Sequence, residues 1–156
     1  MNNRIMLVDD EPDILELLEK ALNLEGFHNI TRIENGISAV DTCREIQPDI
    51  IILDVMLPDI DGYEVCKQIR EFSHCPILFL SAKNDELDKL LGLAVGGDDY
   101  VTKPFSPKEV VYRVKAQLRR AEYRQAPTKD FSVKIGELLI CLLYTSDAAD
   151  EGLGVD

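Results

Sequence analysis

Short apolar runs alternate with amphipathic stretches five times along this chain, and that alternation limits the fold more than any other feature. Arg4–Val8, Asn29–Ile33, Asp49–Leu53, Pro76–Leu80 and Tyr100–Thr102 read as strands. Glu11–Leu24, Gly36–Ile46, Tyr63–Phe72, Glu86–Val95 and Ser106–Tyr123 carry apolar residues at helical spacing. The expected inward residues are Ile14, Leu17, Leu18, Ala21 and Leu22 in the first helix, then Ile37, Val40 and Cys43 in the second. Val65, Cys66 and Ile69 follow in the third, Leu87, Leu90, Leu91 and Ala94 in the fourth, and Val110, Val111, Val114 and Leu118 in the last. Pro12 suits the first turn of its helix, and Gly26 reads as the stop. Strands that are apolar throughout, rather than alternating, are covered on both faces, so the class is α/β with a parallel sheet. Right-handed crossovers and five units point to the flavodoxin-like strand order 2-1-3-4-5.

The remainder is shorter and different in kind. Residues 124–130 are polar with Pro127 and read as a linker. Phe131–Ile140 reads as two short strands around Gly136, too little to bury a core and so a fragment of a second domain. Residues 141–156 have neither helical nor strand period and hold four acids and no base.

Composition excludes several classes. Of 156 residues, 17 are basic and 29 acidic, for a net charge of −12, which opposes non-specific binding to nucleic acid. No apolar run approaches the ~20 residues that span a bilayer, and no basic-then-apolar leader opens the chain, so a cytoplasmic protein is expected. Cys43, Cys66, Cys75 and Cys141 form no CxxC pair and have no histidine cluster beside them, so neither zinc nor a disulfide framework is expected.

In an open parallel sheet, function lies beyond the carboxyl ends of the strands. Those ends present Asp9 and Asp10, Asp54, Ser81 and Lys103. In the order 2-1-3-4-5 the first and third strands are neighbours, so three carboxylates crowd one spot and repel one another unless a proton or a cation is shared. All-oxygen ligation points to Mg²⁺ on Asp9, Asp10 and Asp54, with the Met56 carbonyl as a further ligand. Such a site beside Lys103 and Ser81 suits phosphoryl transfer: Asp54 attacks phosphorus, Lys103 neutralises the phosphoryl oxygens, and Ser81 donates to one of them. Small Ala82 leaves room above the site. Taken singly, an Asp-Asp pair before a helix is an ordinary cap, and Lys-Pro an ordinary turn.

The strings MLVDDEP, ILDVMLPDIDGYEVC, ILFLSAK and GGDDYVTKPFSPKEVVYRVKAQLRR resemble the receiver domain of bacterial two-component response regulators over residues 3–123. The resemblance implies that Asp54 accepts a phosphoryl group from a sensor histidine kinase. It also implies that Asp9, Asp10, Asp54 and Met56 hold Mg²⁺, that Ser81 and Lys103 meet the phosphoryl group, and that the Lys103–Pro104 bond is cis, aiming the lysine inward. Ser81 and Tyr100 would form the switch, Tyr100 turning into space that Ser81 vacates. The closing helix resembles the OmpR/PhoB type, which implies a homodimer on phosphorylation, with Lys89 facing Glu109, Asp99 facing Arg113 and Asp98 facing Arg120 across it. Exposed pairs of this kind set partner choice more than affinity. Gly97 departs from the alanine usual there and is expected to loosen the end of the fourth helix. FSVKIGELLI resembles the opening strands of a winged-helix DNA-binding domain, so DNA contact would need the effector domain missing here. Residues 141–156 (CLLYTSDAADEGLGVD) resemble the translation of a sequencing-library transposase adapter, hence a non-native tail.

Two rivals use the same residues. An aspartyl-nucleophile phosphatase of the haloacid dehalogenase type needs a second Asp two residues after the nucleophile, where this chain has Met56. A nucleotide or flavin binder needs a phosphate-cradling loop after the first strand, where this chain has Asp9, Asp10 and Glu11.

Overall fold

A computed structural model describes residues 2–82 and 86–125. Met1–Ala121 form one compact unit, divided from Glu122–Asp156, and the account below concerns the first. The element order is β1 Arg4–Val8, α1 Pro12–Leu24, β2 Asn29–Ile33, α2 Gly36–Ile46, β3 Ile50–Asp54, α3 Gly62–Ile69, β4 Ile77–Ser81, α4 Glu86–Ala94, β5 Asp99–Thr102 and α5 Pro107–Gln125. All strand pairs are parallel and the order is β2-β1-β3-β4-β5, as the alternation predicts. The linker, winged-helix fragment and tail read from the sequence lie outside the described residues, except that α5 runs through Gln125, two residues into the span read as linker.

The pleat divides the core into two layers. Ile5 and Leu7 of β1, Ile50 and Ile52 of β3, and Leu78 and Leu80 of β4 pack with α1 and α5. Met6, Val8, Ile51, Leu53, Ile77 and Phe79 face the other way and pack with α2 and α3. Both faces of the central strands are therefore dry, which is why β3 and β4 are buried at every position. At ~25 cal/mol per Å² of apolar area, each fully buried Leu or Ile contributes ~2 kcal/mol.

The helices keep this packing with some shifts of face. In α1 the buried stripe is Leu15, Leu18 and Leu22, while Leu17, expected inward, is exposed. In α2 Ala39 is buried where Ile37 was expected. Leu17 and Ile37 fall at the margin of the stripe that meets the sheet and so remain in water. The stripes of α3 and α5 match the expectation. In α4 the expectation fails: only Gly92 is buried, and Leu87, Leu90, Leu91 and Ala94 are exposed. Gly92 sets that orientation. A Cβ there would lie 3.1 Å from the Phe79 ring and 3.2 Å from the Tyr100 ring, so the helix backbone lies directly on these aromatics and its leucines turn outward.

Loop chemistry sets the strand ends in place. Asn35 caps α2 through Ser38 N–H at 2.8 Å, and Asp61 caps α3 through Glu64 N–H at 2.9 Å. Asp59 accepts the Gly36 and Ile37 N–H groups at 2.7 and 2.8 Å, which holds its carboxyl below the usual range. The acids that follow Asp54 in sequence thus serve helix starts. Gly62 closes the loop against β3: its N–H donates to the Val55 carbonyl at 2.8 Å, and a Cβ there would lie 2.4 Å from the Asp54 carbonyl oxygen.

Candidate functional site

Parallel registration delivers the acids to one end of the sheet. Val8 pairs with Leu53, so Asp9 and Asp54 leave adjacent strands side by side. Carboxylate oxygens of Asp9, Asp10 and Asp54 all lie within 4.8 Å of one another. Asp9 is 1% exposed and Asp54 2%, while Asp10 is exposed. Asp9 also accepts the Glu11 N–H at 2.9 Å, which ties the cluster to the start of α1.

Lys103 enters from β5. Its Nζ lies 3.1 Å from Asp9 Oδ2, 3.5 Å from Asp54 Oδ1 and 3.9 Å from Glu11 Oε2. Burial opposes the lysine's charge, but the bond to Asp9 and the charges of Asp54, Asp9 and Glu11 outweigh it and hold Lys103 protonated above its ordinary range. The Lys103–Pro104 peptide is cis, as expected. Ser81 is fully buried at the end of β4, one residue past Leu80, which pairs with Asp54. Lys103 N–H donates to the Ser81 carbonyl at 2.7 Å, so the two neighbours of the acid cluster are joined through the backbone.

One ammonium does not neutralise three acids. Burial, with the charge of Asp9 added, pushes the Asp54 carboxyl up to about 6, although Lys103 and the Met56 N–H act the other way. Hard oxygen donors, two of them buried, with an excess of negative charge fit a hard divalent cation. The Met56 side chain points to solvent; its N–H, rather than its carbonyl, is the group seen to engage Asp54.

The expected switch residues lie on the α3–α4 side. Tyr100 is half-buried, with its ring 6.0 Å from that of Phe79. Its hydroxyl meets the Tyr63 hydroxyl at 3.1 Å, and Tyr63 donates to the Asp88 carbonyl of α4 at 3.0 Å. Tyr63 stacks edge-on against Phe79 at 5.3 Å, and burial raises its phenol. Nothing in the sequence singled out Tyr63 or Gly62 beyond the Asp-Gly turn signal that precedes a helix.

Four of the residues expected at a dimer interface, Asp98, Asp99, Glu109 and Arg113, have partners of their own within the chain. Arg113 holds Asp99 through both carboxylate oxygens at 2.9 Å and Glu109 at 3.3 Å. Asp98 accepts from Arg70 at 3.0 Å and from Ile77 N–H at 2.9 Å. Lys89 and Arg120 are exposed. Gly97 leaves space for Phe79, because a Cβ there would lie 2.3 Å from that ring.

Comparison with known proteins identifies the family and the fold. Residues 5–115 match the response regulator receiver domain family. The chain is 48% identical over 148 residues to the alkaline phosphatase synthesis transcriptional regulatory protein PhoP of Bacillus subtilis (strain 168), covering 90% of this chain and 61% of that protein. A two-component response regulator from Clostridium difficile superposes with a TM-score of 0.73 at 32% identity, over 77% of this chain and 98% of that one. The Thermotoga maritima OmpR/PhoB homologue DrrB superposes with a TM-score of 0.70 at 35% identity, over 78% of this chain and 54% of that one. The chain thus spans 61% of the length of PhoP and 54% of that of DrrB. Among the described residues, no helix is long and apolar enough to cross a membrane.

Proposed function

Because this chain belongs to the response regulator receiver family, we propose that it is a phosphorylation switch in which Asp54 accepts the phosphoryl group of a sensor histidine kinase. The buried Asp54, set among Asp9, Asp10 and Lys103, carries this reading. An Asp54 carboxylate oxygen attacks the phosphorus of a phosphohistidine. The new P–O bond forms as the P–N bond breaks, and that electron pair returns to the imidazole. Asp9, Asp10 and Asp54, with the Met56 carbonyl, would hold Mg²⁺, which when bound offsets the charge on the phosphoryl oxygens. Lys103, fixed by Asp9, neutralises charge on the same oxygens in the transition state. Ser81 donates its hydroxyl to one of them. Transfer is thus catalysed by the receiver's own residues, with the kinase acting as donor.

The phosphoryl group then acts on a two-state element. Ser81 moves toward it, and Tyr100 turns into the space that Ser81 vacates. This tucked position is favoured by the hydroxyl of Tyr63. The exposed leucines of α4, with Lys89, Asp98, Asp99, Glu109, Arg113 and Arg120, form the surface of a homodimer. Within that dimer Arg113 exchanges its own Asp99 for that of the second copy, and Arg120 reaches Asp98. The protein works in the cytoplasm, and the parent regulator acts on transcription through a winged-helix domain of which residues 131–140 are the start. Residues 124–130 link the two, and residues 141–156 are a non-native tail.

Intact-mass measurement after treatment with a small phosphodonor and Mg²⁺ tests the assignment. Wild type gains ~80 Da, the mass of one phosphoryl group, and Asp54→Asn gains nothing. A label that persists on Asp54→Asn removes Asp54 from the role. Native mass spectrometry of the same samples reports the dimer.

A further inference from the structure

Arg70 caps the end of α3, and its guanidinium joins three segments. Nε and Nη2 donate to the Gly96 carbonyl at 2.9 and 2.7 Å, in the turn between α4 and β5. Nη1 donates to the Ser73 and Cys75 carbonyls at 3.3 and 2.8 Å, in the connection from α3 to β4. Nη2 donates again to Asp98 Oδ2 at 3.0 Å, next to β5. Every N–H of the guanidinium is engaged, which fixes its plane. Gly96 makes this possible: it sits at φ +110°, and a Cβ there would lie 2.9 Å from Arg70 Cγ and Nε. The side chains of Arg70 and Asp98 are each 19% exposed, so this pair is far better shielded than Lys20 with Glu16 at 72% and 60%.

Asp98 is held from three sides. Its Oδ2 also accepts the Ile77 N–H at 2.9 Å, and its own N–H donates to the Ile77 carbonyl at 2.8 Å, which ties it to the first residue of β4. From α5 the buried Gln117 donates to its carbonyl at 3.4 Å. Arg120, three residues further along α5, is exposed. Among the described residues Asp98 Oδ1 accepts no hydrogen bond. Asp99 differs, since both of its oxygens accept from Arg113.

We propose that Arg70 is a positioning residue for dimerisation: it fixes the α4–β5 turn and one oxygen of Asp98, and so presents the other oxygen to Arg120 of a second copy. This rests on the reading of that surface as a homodimer interface. The gain is pre-organisation. A carboxylate on a loose turn loses rotamer and backbone freedom when it pairs, and one already held by Arg70 and Ile77 has little left to lose. With an oxygen for each arginine, the bond to Arg70 survives in the dimer. At Asp99 a second copy must displace bonds already made.

Sedimentation equilibrium of the full-length chain, with and without phosphodonor and Mg²⁺, tests this. Wild type dimerises on phosphorylation; failure to do so overturns the homodimer reading itself. Arg70→Met, its folding checked by thermal melt, should need a ~10-fold higher concentration to dimerise, with labelling of Asp54 unchanged. Arg120→Ala should need a similar increase. The double variant should dimerise no more weakly than Arg120→Ala alone, because Arg70 acts through that pair. Arg70→Lys keeps a charge beside Asp98 but cannot span the carbonyls, so it should lose ~3-fold or more and serves where Arg70→Met melts too low. The proposal is overturned if a folded Arg70 variant dimerises at the wild-type concentration. It is equally overturned if the losses from Arg70 and Arg120 multiply in the double variant, since Arg70 would then be supporting the fold alone.

Discussion

Asp54→Asn is expected to make the metal-free protein more stable at neutral pH, although it removes the proposed phosphoryl acceptor. The sign follows from the direction of the carboxyl's displacement. In the unfolded chain Asp54 titrates near its ordinary 3.8, and in the folded protein near 6, because burial and Asp9 disfavour its charge. Between those values the native state holds a proton that the unfolded state has released, so stability falls as pH rises from about 4 to about 6 and stays low above that. A displacement from 3.8 to about 6 corresponds to ~3 kcal/mol at most. Asparagine keeps the shape without the charge but weakens the contacts to Lys103 and the Met56 N–H, so a net gain of ~1–3 kcal/mol is expected. For a domain of this size each kcal/mol moves the melting temperature by ~3–5 °C. Thermal melts with chelator at pH 7.5 should therefore place the variant ~3–15 °C above wild type, with the gap closing near pH 4. Millimolar Mg²⁺ should raise wild type toward the variant and move the variant far less. A variant no more stable than wild type at pH 7.5 without metal would refute the claim that the native fold holds Asp54 against its own charge.

Lys103→Met should slow labelling of Asp54 by ~100-fold or more, since the ammonium contacts the acids at the site; unchanged labelling in a timed phosphodonor assay would exclude the lysine from the transition state. Gly97→Ala should lower stability by ~1–3 kcal/mol in urea titrations, because its methyl would meet the Phe79 ring at 2.3 Å; Gly97→Ala combined with Phe79→Leu should recover part of that loss. Tyr63→Phe removes both hydroxyl bonds that hold Tyr100 and α4, so phosphorylated protein should need a ~3–10-fold higher concentration to dimerise with labelling of Asp54 unchanged; easier dimerisation would mean that the tucked tyrosine belongs to the resting state.

The strand–helix alternation, the parallel order and the gathering of Asp9, Asp10, Asp54 and Lys103 were all legible in the linear chain. Buried parallel strands must be apolar throughout, and crossover rules then leave one natural order, so residues just past the strand ends converge whatever the side-chain detail. Four features were decided only by three-dimensional packing. Gly92 seats α4 on Phe79 and Tyr100, and this turns outward the leucines that helical periodicity pointed inward. Gly62 lets its loop close against the Asp54 carbonyl, where any side chain would collide. Tyr63 bonds Tyr100 across 37 residues of sequence, and Arg70 holds Asp98 across 28. Periodicity records how far a residue stands from water on average along one element. It carries no record of which atom of a neighbouring element lies opposite, and each of these four features depends on that opposite atom.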